Sequence, residues 1–227
     1  MYRVREHGQV TRKSTQTKEM LLDAGQRLFA NGGIHAVAGK QIVAAAKQKN
    51  ASALQYHFGG REGLLFAIID RHNAEIEEER RMMLDGLDGL DGLDGLDGLD
   101  VVDLRALVAA IVVPFARKLQ SADGREFLMI VAQLGEIFDQ WDAVAPRSPK
   151  QAQRALRRID ETLKKGPYRL RPEIRHERVT RFLALVSEAL GGRARVAGRR
   201  SPTLANDEFE ANLIDMALGA LTAPSTT

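Results

Sequence analysis

The stretch from Asn50 to Leu65 restricts the fold of this 227-residue chain more than any other part of its sequence. A short run of polar and aromatic side chains is followed by the pair Gly59-Gly60 and then by the start of an amphipathic segment. Asn50 is placed to cap a helix over residues 51–58, because its side-chain oxygen can accept from unpaired backbone N–H groups. The two glycines end that helix. The stretch therefore predicts two helices separated by a tight break, the first with one polar flank.

The rest of the sequence also has the periodicity of amphipathic helices. Apolar residues recur at the three- and four-residue spacing of a helix face, whereas the alternation typical of strands is not sustained. Glycine and proline residues separate the helical segments. The predicted fold is all-α with about nine helices, which cover residues 17–31, 39–46, 51–58, 61–81, 101–120, 125–139, 150–165, 172–192 and 204–221.

The tripeptide Asp-Gly-Leu occurs five times in succession from Asp85 to Leu99. Glycine at every third position costs a helix about 1 kcal/mol per residue relative to alanine. We therefore predict that residues 85–100 form a loop. A calcium site is the alternative, but the spacing matches neither the EF-hand loop nor the nine-residue repeat of calcium-binding β-rolls.

Charge is distributed unevenly along the chain. Residues 1–61 carry ten Lys or Arg and three Asp or Glu, a net charge of +7, whereas residues 62–100 carry a net charge of −9. A basic segment at one end of a near-neutral body is typical of a protein that meets nucleic-acid phosphates with that end. A basic arm that is merely solvated is the alternative.

Residues 39–46 and 51–58 have the lengths and spacing of a helix-turn-helix, whose second helix enters the major groove of DNA. Ala53, Leu54 and Phe58 form the apolar side of this second helix, and its opposite side carries hydrogen-bonding groups. Glutamine can bond adenine in bidentate fashion, while tyrosine, serine and lysine more often hold phosphates. The predicted DNA-binding residues are Lys18, Lys40, Lys49, Asn50, Ser52, Gln55, Tyr56, His57 and Arg61.

Several aromatic and histidine residues have structural alternatives to a functional role. His57 is equally a partly buried histidine of the scaffold, and Tyr56 has the alternative of packing against the first helix instead of reaching DNA. His35, His72 and His176 lie too far apart in sequence to predict a metal site. We expect neither a metal nor a cofactor.

The chain resembles the TetR (tetracycline-repressor) family of transcriptional regulators from Thr17 to about Ile69. The end of that family's first helix is similar to Leu28-Phe29-Ala30-Asn31-Gly32 here. Its Tyr-x-His-Phe region and the following Lys-Glu-x-Leu are matched by Tyr56-His57-Phe58 and Arg61-Glu62-Gly63-Leu64. The resemblance implies that Arg61 opens the fourth helix and touches a phosphate.

Three places depart from the family pattern. Lys47-Gln48-Lys49 stands where the family usually has a glycine in the turn, and Gln55 replaces the usual tyrosine. Ala38 stands where a Ser or Thr cap is expected. These positions bear on the turn and on the individual base contacts.

The resemblance also implies a homodimer in which the last two helices of each copy form a four-helix bundle. Residues 174–190 and 209–221 have the broad apolar faces that this interface needs. Two heads would then bind successive major grooves of a pseudo-palindromic double-stranded operator. The middle helices, residues 101–165, would enclose a small-molecule effector. Residues that suit its pocket, and equally suit core packing, are Phe115, Met129, Leu134 and Phe138.

These expectations divide the chain into a flexible basic arm (1–16), a helix-turn-helix DNA-binding domain (17–62) and a helical effector-binding and dimerisation domain (63–227). The predicted function is that of a DNA-binding transcriptional repressor, which an effector releases by favouring the DNA-incompetent arrangement. Activation instead of repression stays open. A helical interaction module is one alternative. A small all-α enzyme is another, but the sequence shows neither a nucleophile-base pair nor carboxylates at a telling spacing.

Composition restricts the cellular compartment in which the protein is expected. Cysteine is absent, which excludes disulfides, thiolate metal sites and cysteine nucleophiles and favours a reducing cytoplasm. The basic N-terminus lacks the apolar stretch of a signal peptide, and the longest apolar run, residues 106–116, is too short to span a bilayer. We expect a cytoplasmic protein that does not cross a membrane and is not an enzyme.

Overall fold

The computed structural model describes two compact units, Met1–His72 and Asn73–Thr227, here named the head and the body. Their boundary lies within a helix, later in the chain than the boundary predicted after residue 62. Backbone is described for residues 4–88, 99–134, 149–165, 167–197 and 203–225, and side chains for the same residues except 4–13 and 99–103.

Nine α-helices and one 3-10 turn lie in the described part of the chain, and that part contains no β-strand. The head contains α1 (Val4–Gly32), α2 (Gly39–Ala45), α3 (Ala53–Phe58) and the start of α4 (Arg61–Asp88). The body contains the rest of α4, then α5 (Leu99–Ala116), the 3-10 turn Arg117–Gln120, α6 (Ala122–Gln133), α7 (Lys150–Lys164), α8 (Pro172–Val196) and α9 (Asn206–Thr222). The all-α prediction with about nine helices is confirmed. Residues 135–139, which the sequence assigned to the sixth helix, lie outside the described residues.

Helix α1 begins much earlier than predicted. Its first residue is Val4, whereas the sequence predicted a flexible arm over residues 1–16 and a helix from Thr17. No proline interrupts residues 4–16, and lengthening an existing helix gains one backbone hydrogen bond for each residue fixed. The packed half of α1 therefore continues into the polar segment before it.

Both ends of the Asp-Gly-Leu tract are helical, which corrects the prediction of a loop over residues 85–100. Helix α4 continues to Asp88, and α5 begins at Leu99. Residues 89–98 lie outside the described residues. The cost of about 1 kcal/mol for a glycine inside a helix is therefore outweighed at the start of the tract.

Ion pairs at the end of α4 supply the compensating interactions. Asp85 accepts hydrogen bonds from Arg81 and Arg154, each at 2.8 Å. Asp88 accepts a hydrogen bond of 2.6 Å from Arg158 and a second bond from Arg154. The hydrogen bond from Arg154, together with the charges of Arg154 and Arg81, lowers the pKa of Asp85 from its ordinary value. This network joins the end of α4 to α7 within the body.

The head has an apolar core to which all four of its helices contribute. Its most deeply buried apolar side chains include Leu21, Phe29, Ile42, Leu64 and Ile68. Gly25 lies against Leu64 of α4, because a Cβ atom at Gly25 would lie 2.5 Å from Cδ2 of Leu64. A larger residue at position 25 would therefore force the Leu64 side chain to move.

A polar cluster is buried in the head between α1 and α4. Gln26 is only 1% exposed, and its Oε1 accepts a hydrogen bond of 2.7 Å from Nη2 of Arg71. The same oxygen lies 3.0 Å from Nε2 of His72. Arg71 also donates to Asp23 at 2.8 Å. His72 thus belongs to the scaffold of the head.

The body has its own apolar core. Helix α8 packs along α6 and α9, and α5 packs against α7 and α9. Fully buried members of this core include Leu107, Ile111, Phe127, Ile159 and Phe182. Helix α6 begins inside the predicted break at residues 121–124, because Ser121 caps it: its Oγ accepts a hydrogen bond of 2.9 Å from the Gly124 N–H.

Candidate functional site

Helices α2 and α3 form a helix-turn-helix on α1. Each of the three contacts the other two. Ile42 and Val43 of α2 and Ala53 and Leu54 of α3 are buried. These buried side chains fix which side of α3 faces the head and which side faces solvent.

The outer side of α3 carries the predicted reading residues. Ser52, Gln55 and Tyr56 are exposed, and 81% of the surface of Tyr56 is accessible. Tyr56 therefore does not pack against α1, the alternative that the sequence had left open. Free hydrogen-bonding groups on one side of a short, well-anchored helix are what recognition of base edges requires.

His57 is half-buried beside these residues. Its ring makes an edge contact with Tyr56, with ring centres 4.9 Å apart, and lies 6.3 Å from the ring of Phe58. Lys18 of α1 lies over the ring of Phe58, with its ammonium 5.9 Å from the ring centre. His57 thus packs beside Tyr56 and Phe58, and its contact with DNA stays a prediction.

The turn between α2 and α3 is built without the glycine that is usual in the resembled family. Lys47 adopts the left-handed conformation with φ of 53°. The amide of Gln48 donates to the Ala46 carbonyl at 2.9 Å, and the Thr17 hydroxyl donates to its Oε1 at 3.5 Å. Gln48 therefore pins the turn to α1, a role that sequence reasoning missed because its partner lies far away in the chain.

The starts of α2 and α3 are also capped in unexpected ways. Oε1 of Gln41 accepts a hydrogen bond of 2.7 Å from the Ala38 N–H, which is the half of a capping box that needs no Ser or Thr at position 38. Oδ1 of Asn50 accepts from the Ser52 N–H at 2.9 Å, and the helix begins at Ala53. Asn50 therefore shapes the turn before α3. The prediction that Asn50 caps a helix from residue 51 is wrong.

The basic residues divide into two groups. Lys40 and Lys49 are exposed on the helix-turn-helix. Arg61 is half-buried, donates to the Ile34 carbonyl and lies with its guanidinium carbon 5.9 Å from the centre of the Phe29 ring. The structure thus uses Arg61 to tie the start of α4 to the loop after α1. Its phosphate contact, implied by the resemblance, stays a prediction.

Comparison with known proteins identifies the head. Residues 21–68 match the bacterial regulatory proteins of the tetR family. The chain belongs to the TetR family. The matched range begins in α1, contains the whole helix-turn-helix and ends in α4. This TetR-family protein is a DNA-binding regulator, and its candidate DNA-binding surface is the outer side of α3.

A solved structure extends the likeness to the rest of the fold. The crystal structure of the probable transcriptional regulatory protein RHA5900 is 18% identical in sequence, with a TM-score of 0.51 over 91% of this chain and 100% of the other. At this identity the likeness is one of fold alone. No curated protein matches the sequence.

The body of the TetR-family chain contains a cavity of about 120 Å³. Its wall is mostly apolar and includes Ile111, Phe115 and Leu128 from α5 and α6. Phe115 had been suggested from the sequence, whereas Met129 and Leu134 are not among the described lining residues, and Phe138 lies outside the described part of the chain. An apolar cavity of this order of size can hold a small apolar ligand.

Arg80 brings a charge to this cavity, which sequence reasoning missed. It is 1% exposed, donates from Nε to the Ala110 carbonyl at 3.0 Å and pairs through Nη1 with Glu77. Its guanidinium carbon lies 5.7 Å from the centre of the Phe115 ring. Burial lowers the pKa of the Arg80 guanidinium, and Glu77 opposes that shift. In the sequence, Arg80 stands in a charged run that is typical of a solvated helix face.

The described residues contain neither a candidate metal site nor a helix that could span a membrane. No group of three or more His, Asp or Glu side chains there is arranged to hold a metal ion. None of the described helices is long and apolar enough to cross a membrane.

Proposed function

We propose that this regulator is a cytoplasmic repressor that binds a pseudo-palindromic operator as a homodimer and is released by a small-molecule effector. One observation carries the proposal: Gln55 and Tyr56 are exposed on a helix whose opposite side is anchored by buried Ala53 and Leu54. The amide of glutamine can bond an adenine edge, and the tyrosine hydroxyl can bond a phosphate. The exposed lysines 40 and 49 would add sequence-independent attraction to the DNA backbone.

The reading helix is tested with the double variant Gln55→Ala/Tyr56→Ala. Two lost contacts of about 1–3 kcal/mol each should weaken binding about 30-fold or more, on an operator obtained by selection from random duplexes and measured by fluorescence anisotropy. The melting temperature should stay unchanged, because both side chains are exposed. Gln120→Ala, an exposed glutamine of the body, is the matched control. Unchanged operator affinity in the double variant would show that α3 does not read DNA.

The salt dependence of the same binding reaction separates a DNA-binding protein from a module that binds acidic proteins. Each phosphate contact releases counterions, so the logarithm of the binding constant should fall steeply and linearly with the logarithm of salt concentration. A flat dependence would contradict DNA as the partner.

The proposed dimer uses α8 and α9. Helix α9 buries Leu213, Ala217 and Leu221 in its own subunit, while Met216 is 50% exposed on another side. An exposed apolar side chain on a packed helix suits an interface with a second copy. The effector, in turn, is proposed to bind the cavity of the body and to favour the arrangement that does not fit the operator.

Met216→Glu tests the dimer. A charge placed inside an apolar interface loses its hydration without a partner, so sedimentation should show a monomer where the parent chain is a dimer. Met82→Glu on α4, where Met82 is 57% exposed, is the matched control and should leave the mass unchanged. A dimer that persists in Met216→Glu would place the interface elsewhere.

A further inference from the structure

The cavity of the body combines an apolar wall with a single charged group among its described lining residues. Leu183 and Val186 of α8 complete the apolar side that Ile111, Phe115 and Leu128 begin, and Arg80 is the charged residue. A hydrogen bond from a guanidinium is stronger in such surroundings than in water, because the local dielectric constant is low. A ligand that reaches Arg80 would therefore be held at a defined point.

Two of the three guanidinium nitrogens of Arg80 already have partners. Nε donates to the Ala110 carbonyl, and Nη1 donates to Glu77. The described residues provide no hydrogen-bond acceptor for Nη2. An oxygen atom of a bound molecule would supply the missing acceptor without disturbing the two existing bonds.

The charge balance around Arg80 decides between a neutral and an anionic ligand. Glu77 already neutralises Arg80 and is itself held by the backbone N–H groups of Gln151 and Ala152, at 2.7 and 3.2 Å. A second carboxylate would add an uncompensated negative charge to an apolar site, which is costly. A neutral oxygen acceptor avoids that cost.

The size of the cavity limits the ligand further. Its volume is about 120 Å³, and an engineered protein cavity of about 150 Å³ binds benzene. A space of this order is filled by one aromatic ring, so any substituent on that ring must be small. The ring of Phe115, which stacks on Phe127 with ring centres 6.0 Å apart, is part of the cavity wall and can contact a second ring.

We propose that the cavity binds a neutral molecule of one aromatic ring with a carbonyl oxygen, which accepts a hydrogen bond from Arg80 while the ring packs against Phe115 and Leu183. This inference rests on the proposed function, because the ligand would be the effector of the repressor.

The test compares acetophenone with ethylbenzene, which has nearly the same shape but no oxygen. Binding to the full chain is measured by titration calorimetry, for the parent protein and for Arg80→Met. Loss of a hydrogen bond from a charged donor should weaken acetophenone binding about tenfold or more, while ethylbenzene binding changes by less than about twofold. Equal effects on both compounds would overturn the role of Arg80.

Two controls define the site and the ligand class. Ala152→Leu adds three carbon atoms at the wall of the cavity and should abolish binding of both compounds. Unchanged binding in this variant would place the ligand elsewhere and overturn the inference. Benzoate should bind the parent protein more weakly than acetophenone, and tighter binding of benzoate would show that the ligand is an anion.

A measurement on the parent protein covers the case in which Arg80→Met does not fold. The infrared carbonyl stretch of ¹³C-labelled acetophenone should move to lower frequency in the complex than in hexane, because a guanidinium hydrogen bond weakens the C=O bond. A stretch at the hexane position would show an oxygen without a hydrogen bond and overturn the inference.

Operator release is measured separately, so that the two proposals fail differently. Acetophenone that binds through Arg80 but leaves the operator complex intact would support the ligand class and contradict the effector mechanism. Release by another compound, together with no binding of acetophenone, would support the effector mechanism and overturn the ligand class.

Discussion

The head and the body place their most informative polar side chains in opposite environments. On α3 of the head, Gln55 and Tyr56 extend into solvent and keep their hydrogen-bonding groups free for another molecule. In the body, Arg80 lies against apolar side chains and depends on Glu77 and on the Ala110 carbonyl. Exposed polar groups keep their hydration and so cost the folded protein little free energy. A buried charge loses its hydration and is tolerated only when partners compensate it.

This difference shows how one chain combines two kinds of recognition. The α3 surface suits a large, hydrated and charged partner, because its groups are accessible and its surroundings are basic. The cavity suits a small, weakly polar partner, because its wall is mostly apolar and offers few hydrogen bonds. Variants that remove the buried groups should therefore change stability, whereas variants on α3 should change DNA binding alone.

The largest stability effect is expected for Arg80→Met. Glu77 would lose its guanidinium partner in a partly buried position, which should lower the free energy of unfolding by about 3 kcal/mol, measured by urea denaturation. Arg81→Met is the matched control on the same helix. The Arg81 side chain is 45% exposed and pairs with Glu78 and Asp85, so its removal should lower the free energy of unfolding much less than removal of Arg80.

A double variant separates the effect of the Glu77–Arg80 ion pair from the effect of leaving Glu77 without its partner. Glu77→Gln/Arg80→Met should recover part of the stability lost in Arg80→Met, because no uncompensated charge is then left. Equal stability of Arg80→Met and Arg81→Met would show that the buried charge on α4 contributes no more to the free energy of unfolding than the exposed one.

A smaller effect is expected for Gln26→Leu in the head. The change leaves Arg71 and His72 without the oxygen they share, so the free energy of unfolding should fall by about 2 kcal/mol. Gln120→Leu, at an exposed position, should be close to neutral. A neutral Gln26→Leu would show that the head does not depend on its buried polar cluster, and the comparison would then rest on Arg80 alone.

The smallest effect is expected in the turn of the helix-turn-helix. Lys47→Gly should raise the free energy of unfolding by about 1 kcal/mol, because a residue with a Cβ atom is strained at positive φ. Lys47→Ala keeps the Cβ atom and should leave stability nearly unchanged. Stabilisation by both variants would point to charge instead of backbone conformation as the cause.

Local periodicity was enough to predict the outward side of α3 from the sequence. In so short a helix, burial of Ala53 and Leu54 leaves Gln55 and Tyr56 on the opposite side, which confirms the predicted orientation. The number of helices and the all-α class follow from the same local patterns.

Contacts between residues far apart in the chain were not predictable in this way. Arg80 belongs to a run of charges, Glu77-Glu78-Glu79-Arg80-Arg81, that by composition indicates a solvated face. Its burial depends on the carbonyl of Ala110, which lies 30 residues later. Gln48 is similar, since its partner Thr17 lies 31 residues earlier. Pairing at such distances depends on tertiary packing, for which a single sequence has no local signal.

The carboxylates that fasten α4 to α7, Asp85 and Asp88, belong to the first two Asp-Gly-Leu triplets. A triplet gained or lost farther along leaves both carboxylates at the same positions of α4, facing the same arginines. Repetitive coding sequence is prone to slippage during replication, and because the triplets are identical, the gain or loss of one still leaves an Asp at both positions. The ion pairs between α4 and α7 would therefore be kept when the tract after them changes in length.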